Sequence, residues 1–289
     1  MYRLHGYSSL LKPSSVDRLT HLLDHFSLRA GVFYTGHFCG VQAFEAHPAR
    51  GHIHLIKRGP VQLIGAEKHA IQVMDPTLLF LPHPAHHRLQ ADENAGADIV
   101  CGSVQFEGGN VNPITDALPS VVLVKLAELT GGQALLDLMF EEAFSDRSGK
   151  QAILDRLCET LLINLLRHCI ERGITQKGTL AGLSDIRLAK TLVAVHNDPA
   201  WQWDLHTMSL LAGMSRARFA LRFRQITGET PADYLASWRV MLAQQLLKRG
   251  YQLKYIADDV GYSSASALTR AFTRKVGCAP SEWIKQQKN

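Results

Sequence analysis

The sequence predicts an α+β chain: a β-barrel or sandwich with attached helices, followed by an all-α domain carrying one helical unit twice. Three observations predict it. Between Gly31 and Glu107 the apolar residues come in short runs separated by Gly, Pro, Asp and Asn. After Pro113 they recur at helical spacing instead. Near the end, Ser264, Leu268, Phe272, Gly277, Pro280 and Trp283 each stand 49 positions after Ser215, Phe219, Phe223, Gly228, Pro231 and Tyr234.

A chain of 289 residues with 46% hydrophobic content can build two modest domains with real cores. The first residues, "MYRLHGYSSL", lack a basic run followed by an apolar core. No stretch approaches the roughly 18 apolar residues of a membrane span. A soluble cytoplasmic protein with no membrane partner is therefore expected. Five cysteines (Cys39, Cys101, Cys158, Cys169 and Cys278) are scattered without a C-x-x-C pair, which argues for reduced thiols and against a zinc finger. Charge is uneven. From Ser184 onward there are 15 Lys and Arg against 8 Asp and Glu, a net +7, whereas the preceding part carries a net −2. Such a basic C-terminal third suits a partner rich in phosphate, although a solvated surface has the same composition.

The elements follow in order. "SVDRLTHLLDHFSL" puts Val16, Leu19, Leu22, Leu23 and Phe26 at helical spacing, which predicts a short amphipathic helix. "GVFYTGHFCG", "GHIHLIKRG", "PVQLIG", "HAIQVMD", "TLLFLP", "HHRLQ" and "DIVCGSVQF" read as strands, so a β domain over 1–112 is expected. "GGQALLDLMFEEAF" and "KQAILDRLCETLLINLLRHCIERG" are helical, the second through Ile153, Leu154, Leu157, Leu161, Leu165 and Cys169. Leu162, Ile163, Leu166 and Ile170 widen that stripe beyond one face. The helix must bury against its own domain and something else, either a second subunit or further elements of the same protomer. Residues 113–172 are thus the expected dimerisation region of a homodimer. "GITQKGTLAG" is poor in apolar residues and reads as a linker over 173–183, leaving 184–289 as the second domain.

Each copy of the repeat has a short helix, a glycine and a second helix opening on Ser, the plan of a helix-turn-helix. In the first, Asp204 and Ser215 are the expected caps, Leu205, Met208, Leu211 and Ala212 the inward positions and Gly213 the turn. In the second, Ile256, Ala257 and Val260 face inward, Gly261 turns, and Ser263 or Ser264 caps. The second helices bury Phe219, Phe223 and Ile226, or Leu268, Phe272 and Val276. Their opposite faces present Arg216, Ala217, Ala220, Leu221 and Arg224, and Ala265, Ser266, Thr269, Arg270 and Lys275. Small and basic side chains suit a major groove, because Arg can bind guanine or a phosphate while methyl groups touch thymine. Between the copies, "TPADYLASWRVMLAQQLLKRG" predicts one helix of roughly 17 residues burying Leu235, Trp238, Met241, Leu242 and Leu246. It would be about 25 Å long, near the spacing of successive groove entries.

Residues 184–289 resemble the DNA-binding domain of the AraC/XylS family of bacterial transcription regulators, through Gly261, Tyr262, Ser266, Leu268, Phe272, Gly277, Pro280 and Trp283. The resemblance implies two helix-turn-helix units on a linker helix, promoter duplex DNA as ligand and RNA polymerase as a further partner. Ala267 and Leu268 stand where the family more often has aromatics. That family commonly carries an N-terminal cupin-like sensor. "HLIKRGPVQLIG" and "DPTLLFLPHPAHHRL" resemble paired cupin motifs, closest to the AraC-binding-like branch that includes the reactive-chlorine-responsive regulator. His54, His87 and Cys101 carry that similarity. It makes the first domain a cupin-like β-barrel with helices.

Twelve of fourteen histidines precede Ser184, eight of them between His37 and His87. His52 and His54 share a strand face and, with His87 and His37 or Cys101, have the chemistry of a zinc site. Cys101 among histidines could equally be an oxidant-sensing thiolate. A third possibility makes His54 and His87 hydrogen-bonded core residues and Cys101 an apolar filler. His47, His69, His83 and His86 lie beside turn residues and are expected at the surface. A one-component transcription regulator follows. The competing possibilities are a cupin-type metalloenzyme with an accessory DNA-binding tail, which lacks the usual cupin carboxylate, and a DNA-binding protein without an effector.

Overall fold

The computed structural model describes residues 17–48, 50–106 and 112–287. The expectations placed on Met1–Leu10 and on Val16 lie outside them. A short helix α1 (Thr20–His25) precedes eight strands: β1 (Leu28–Phe38), β2 (Gly40–Phe44), β3 (Gly51–Arg58), β4 (Val61–Ile64), β5 (Ile71–Val73), β6 (Thr77–Leu81), β7 (His87–Ala91) and β8 (Ala97–Phe106). β2 lies almost wholly in 41–50, where no strand was read, and a ninth strand, β9 (Val122–Lys125), was not expected either, because the sequence after Pro113 reads as helical. It pairs antiparallel with the free edge of β6, Leu78 opposite Val124.

The strands form two antiparallel sheets, ordered β1-β8-β3-β6-β9 and β2-β7-β4-β5. Between them lie Ile56, Leu79, Leu81, Ile99 and Cys101 from the first sheet, and Phe44, Val61, Leu63 and Leu89 from the second. The alternate residues of the first sheet, Ile53, Leu55, Leu78, Phe80, Val100 and Val104, point the other way into a second core. Both faces of this sheet are covered, which is why "TLLFLP" reads as an unbroken apolar run with every residue of β6 buried.

Helices α2 (Gly132–Ala143) and α3 (Lys150–Arg172) cover the outer face. Leu161, Leu162, Leu165, Leu166 and Cys169 are fully buried within the chain. The wide stripe of α3 is therefore explained by a position between the sheet and other helices of the same protomer. Pairing of subunits through Leu161 and Leu165 is corrected on this ground. The glycine-containing stretch expected as a linker also differs, because α4 (Thr179–Ser184) forms inside it. Leu180 and Leu183 are buried, and a Cβ on Gly182 would collide with Leu192. Three small and apolar residues thus form a packed turn of helix where composition alone suggested a solvated tether.

The remaining helices are α5 (Ile186–Asn197), α6 (Leu205–Leu211), α7 (Arg216–Thr227), α8 (Pro231–Lys248), α9 (Leu253–Asp259), α10 (Ala265–Val276) and α11 (Pro280–Gln286). The core on the outer side of the sheet continues without a break through α3 and α4 to Leu188, Phe219, Phe223 and Trp238. At the same seam the rings of His25 and Phe26 lie 5.8 and 5.6 Å from that of Trp238, and Gln245 Nε2 donates to the His25 carbonyl at 2.5 Å. Arg18 donates to the Leu183 carbonyl at 3.1 Å.

Candidate functional site

The repeat in the sequence is a repeat in geometry. Ser215 and Ser264 cap α7 and α10, accepting from the amides of Arg218 and Ala267, and Ser264 rather than Ser263 is the second cap. Gly228 and Gly277 end the two helices in matching left-handed conformations, φ +87° in both. Helix α8 has 18 residues and opens on Pro231, with the Thr230 side chain accepting from the Asp233 amide.

In the first head, Phe219 and Phe223 are buried, and Arg216, Ala217, Leu221 and Arg224 are exposed with Ala220 half-buried. In α6, Met208 and Ala212 are buried as expected. Leu205 and Leu211 are 39% exposed, so the inward set is narrower than predicted because a seven-residue helix touches its neighbour along one edge only. In the second head, Leu268 and Phe272 are buried, Ser266 and Arg270 are exposed, and Ala265 and Thr269 are half-buried, Thr269 donating to the Ala265 carbonyl at 2.8 Å. Lys275 departs from expectation. Its Nζ lies 3.3 Å from Glu229 and 3.8 Å from Asp233, so it is turned back onto the loop before α8 and does not join the outward face. Arg222 likewise holds Asp185, the residue that caps α5.

The histidines divide into two groups. His52, His54 and Cys101 point into the sandwich from the first sheet, His54 directly opposite Cys101 in register, and His87 meets them from the second sheet. Cys101 Sγ lies 3.0 Å from His54 Nδ1, His54 Nε2 lies 2.8 Å from His87 Nε2, and His87 Nδ1 lies 3.0 Å from the Ala85 carbonyl. The carbonyl can only accept, so His87 carries its proton on Nδ1. His54 then donates from Nε2, and the Cys101 thiol donates to His54 Nδ1. Every donor in this chain has an acceptor while every group is neutral.

The electrostatics agree. Burial, reinforced by the neighbouring histidines, lowers His54 well below its ordinary value and His52 to about 4. Burial lowers His87 too, against its bond to Ala85, and pushes the Cys101 thiol far up. Cys101 is 0% exposed and its histidine neighbour is itself held neutral and cannot stabilise S⁻, so this arrangement favours a buried thiol over an activated thiolate. As placed, the side chains do not fit a zinc ion. Both nitrogens of His54 are engaged, and two zinc–nitrogen bonds of about 2.0 Å at a tetrahedral angle would hold the nitrogens about 3.3 Å apart, more than the 2.8 Å between His54 and His87. Among the described residues no group of three or more His, Cys, Asp or Glu side chains converges as a ligand set. His52 stacks beside the network with its Nδ1 buried and without a partner.

His37 does not join this cluster. It stands at the exposed end of β1 with Nδ1 2.7 Å from Asp98. Its Nε2 and the sulfur of the exposed Cys39 both close over Gly96, where no side chain would fit. The sequence carried no signal for this grouping, because its members meet only through the pairing of β1 with β8 and the turn before β8.

Comparison with known proteins adds family information. A family model described as cupin matches residues 17–171, and one described as helix-turn-helix domain matches residues 208–286. An uncharacterized HTH-type transcriptional regulator of Haemophilus influenzae is 28% identical, across 93% of this chain and 98% of its own length. The RCS-specific HTH-type transcriptional activator RclR of Escherichia coli is 27% identical across 80% of this chain and 82% of its own. A putative AraC-like transcription regulator of Streptomyces antibioticus is 33% identical across 65% and 63%.

Proposed function

The chain belongs to the AraC-type helix-turn-helix transcription regulators with an N-terminal cupin domain, and from that membership we propose that the sensor governs the first reading head through a shared core. The observation that carries this reading is the unbroken packing from the outer face of the five-stranded sheet through α3 and α4 to Phe219 and Trp238. A signal that shifts the sheet or α3 has a solid path to the first head, whereas the second head follows through α8. The effector is a small molecule, metal or oxidant acting on the β domain. The family resemblance to regulators sets aside the metalloenzyme reading.

Arg216, Ala217, Ala220, Leu221 and Arg224 in the first head, and Ala265, Ser266, Thr269 and Arg270 in the second, are the proposed DNA-facing residues. The protein acts in the cytoplasm on promoter DNA, as a homodimer and together with RNA polymerase. Any subunit contact uses a face other than Leu161 and Leu165; Leu138, Phe144 and Ile153 are exposed apolar residues on α2 and α3 and at the end of α2. Among the described residues no helix is long and apolar enough to cross a membrane.

Footprinting of the full chain on the DNA flanking its own gene tests the reading. Two successive major-groove segments protected per protomer are expected, with affinity falling as salt rises. Arg216→Ala and Arg270→Ala should each weaken binding by about 1–3 kcal/mol and relax base preference in one segment only. One protected segment per protomer would overturn the two-head arrangement.

A further inference from the structure

The two heads are joined by more than the backbone of α8. Arg239 is the charged residue in the middle of that helix, and its guanidinium reaches both heads at once. Nε donates to the Pro199 carbonyl at 2.8 Å and Nη2 to the Trp201 carbonyl at 2.9 Å, on the loop that leads into α6 of the first head. The same guanidinium stands 5.6 Å from the ring centre of Tyr262, in the turn of the second head. Gly261 packs directly beneath: a Cβ there would come within 2.7 Å of Arg239 Nη2 and 2.8 Å of Ala200 Cα. The corresponding turn of the first head shows none of this, because a Cβ on Gly213 would meet nothing within 4 Å. Gly261 is therefore tight for a local reason, the passage of Arg239 between the heads. A second tie joins Lys275 of α10 to Glu229 and Asp233 at the start of α8.

We infer that Arg239 is a positioning residue for DNA recognition, locking the two reading helices at one separation so that the protein selects the spacing between its two base segments. The inference rests on the two-head reading above. Its physical basis is that one added base pair moves the second segment by about 3.4 Å and rotates it by about 35°. A rigid pair of heads cannot follow that displacement, whereas a pair joined by α8 alone can. Arg239 itself need touch no base.

The test uses the full chain and duplexes selected from a random-sequence pool. Wild type should return two conserved segments at a single spacing and lose about tenfold or more in affinity when one base pair is inserted or removed between them. Arg239→Met keeps the aliphatic stem and removes the donors and charge. It should tolerate the altered spacing with about a threefold loss or less, while base preferences within each segment stay as in wild type. Arg239→Lys, which restores the charge and one donor, should recover part of the discrimination. Should Arg239→Met fail to fold, Tyr262→Leu removes the stacking face and leaves both carbonyl contacts, and the same relaxation is expected of it. A uniform loss of affinity at every spacing, or discrimination as sharp as in wild type, would overturn the inference. A single conserved segment in the wild-type selection would instead overturn the two-head reading, so the two failures are distinguishable.

Discussion

Acidification should unfold the β domain through its buried histidines, and His52 allows the effect to be isolated. The folded protein holds His52 at about 4 and His54 well below 6.5, whereas both titrate near 6.5 once the chain is unfolded. A depressed folded pKa means stability that is complete above about pH 6.5 and lost as pH falls toward 4, because only the unfolded state takes up protons in that window. At pH 5 an unfolded histidine gains about 2 kcal/mol from protonation, so His52 alone removes about 2 kcal/mol, with His54 and His87 adding in the same direction. That is a large share of the roughly 5–15 kcal/mol of a typical domain. His52→Phe discriminates this cause from general acid loss. His52 lies against Phe33 and Phe44 and makes no bond to the Cys101–His54–His87 chain, and its buried Nδ1 has no partner. The substitution should be neutral or stabilising at pH 8 and should reduce the pH 8 to pH 5 difference by about 2 kcal/mol. Urea unfolding followed by circular dichroism at both pH values measures this. Identical pH dependence in wild type and His52→Phe would refute the reasoning.

Thiol labelling of the native protein should modify Cys39 first and Cys278 more slowly. Cys101, Cys158 and Cys169 should react only after denaturation, since burial raises all three, the last two to about 12; fast labelling of Cys101 in native protein would contradict its placement. Leu161→Asp should give insoluble or molten protein, because an isolated carboxylate would cost more than about 3 kcal/mol at a fully buried site. A well-folded monomer by circular dichroism and sedimentation would show that α3 faces outward after all. A fragment of residues 178–289 should be more stable than 185–289 by about 2–4 kcal/mol, since Leu180 and Leu183 lose their burial when α4 is removed. Equal melting temperatures would mean that α4 belongs to the sensor alone.

The C-terminal domain was legible because its signals are local. Caps and turn glycines each act within one helical unit, and Ser215, Ser264, Gly213 and Gly261 fall where those rules put them. Lys275 was misplaced because a helical wheel separates buried from exposed sides but does not see Glu229 across a turn. In the β domain most strands were visible from alternation and turn residues. β9 was hidden by the 3-10 turns on either side of it, and α4 by glycines that serve close packing. The histidine cluster was half legible. That His54, His87 and Cys101 belong together could be read from a resemblance. Their protonation states could not, because those depend on the Ala85 carbonyl at the end of the chain and on burial between two sheets.

The seam at Trp238 bears on how such proteins can be recombined. A hybrid cut within residues 173–178, where composition suggests a tether, would part Leu180, Leu183 and Trp238 from the helices and rings they are fitted to. Such hybrids would lose that packing, and with it the path from sensor to first head, even where the C-terminal helices fold on their own. The exchangeable piece is smaller and lies further along. After α8 the chain passes Arg249 and Gly250, both exposed, and a side chain at Gly250 would meet nothing within 4 Å, though its φ of +87° favours keeping the glycine. A graft made there would carry over α9 to α11 and would have to reproduce the Arg239–Tyr262 stack and the Lys275 pair. Sensor and first head would thus travel as one heritable block, while the second head is the part that recombination can replace, and on the two-head reading it carries half of the target sequence.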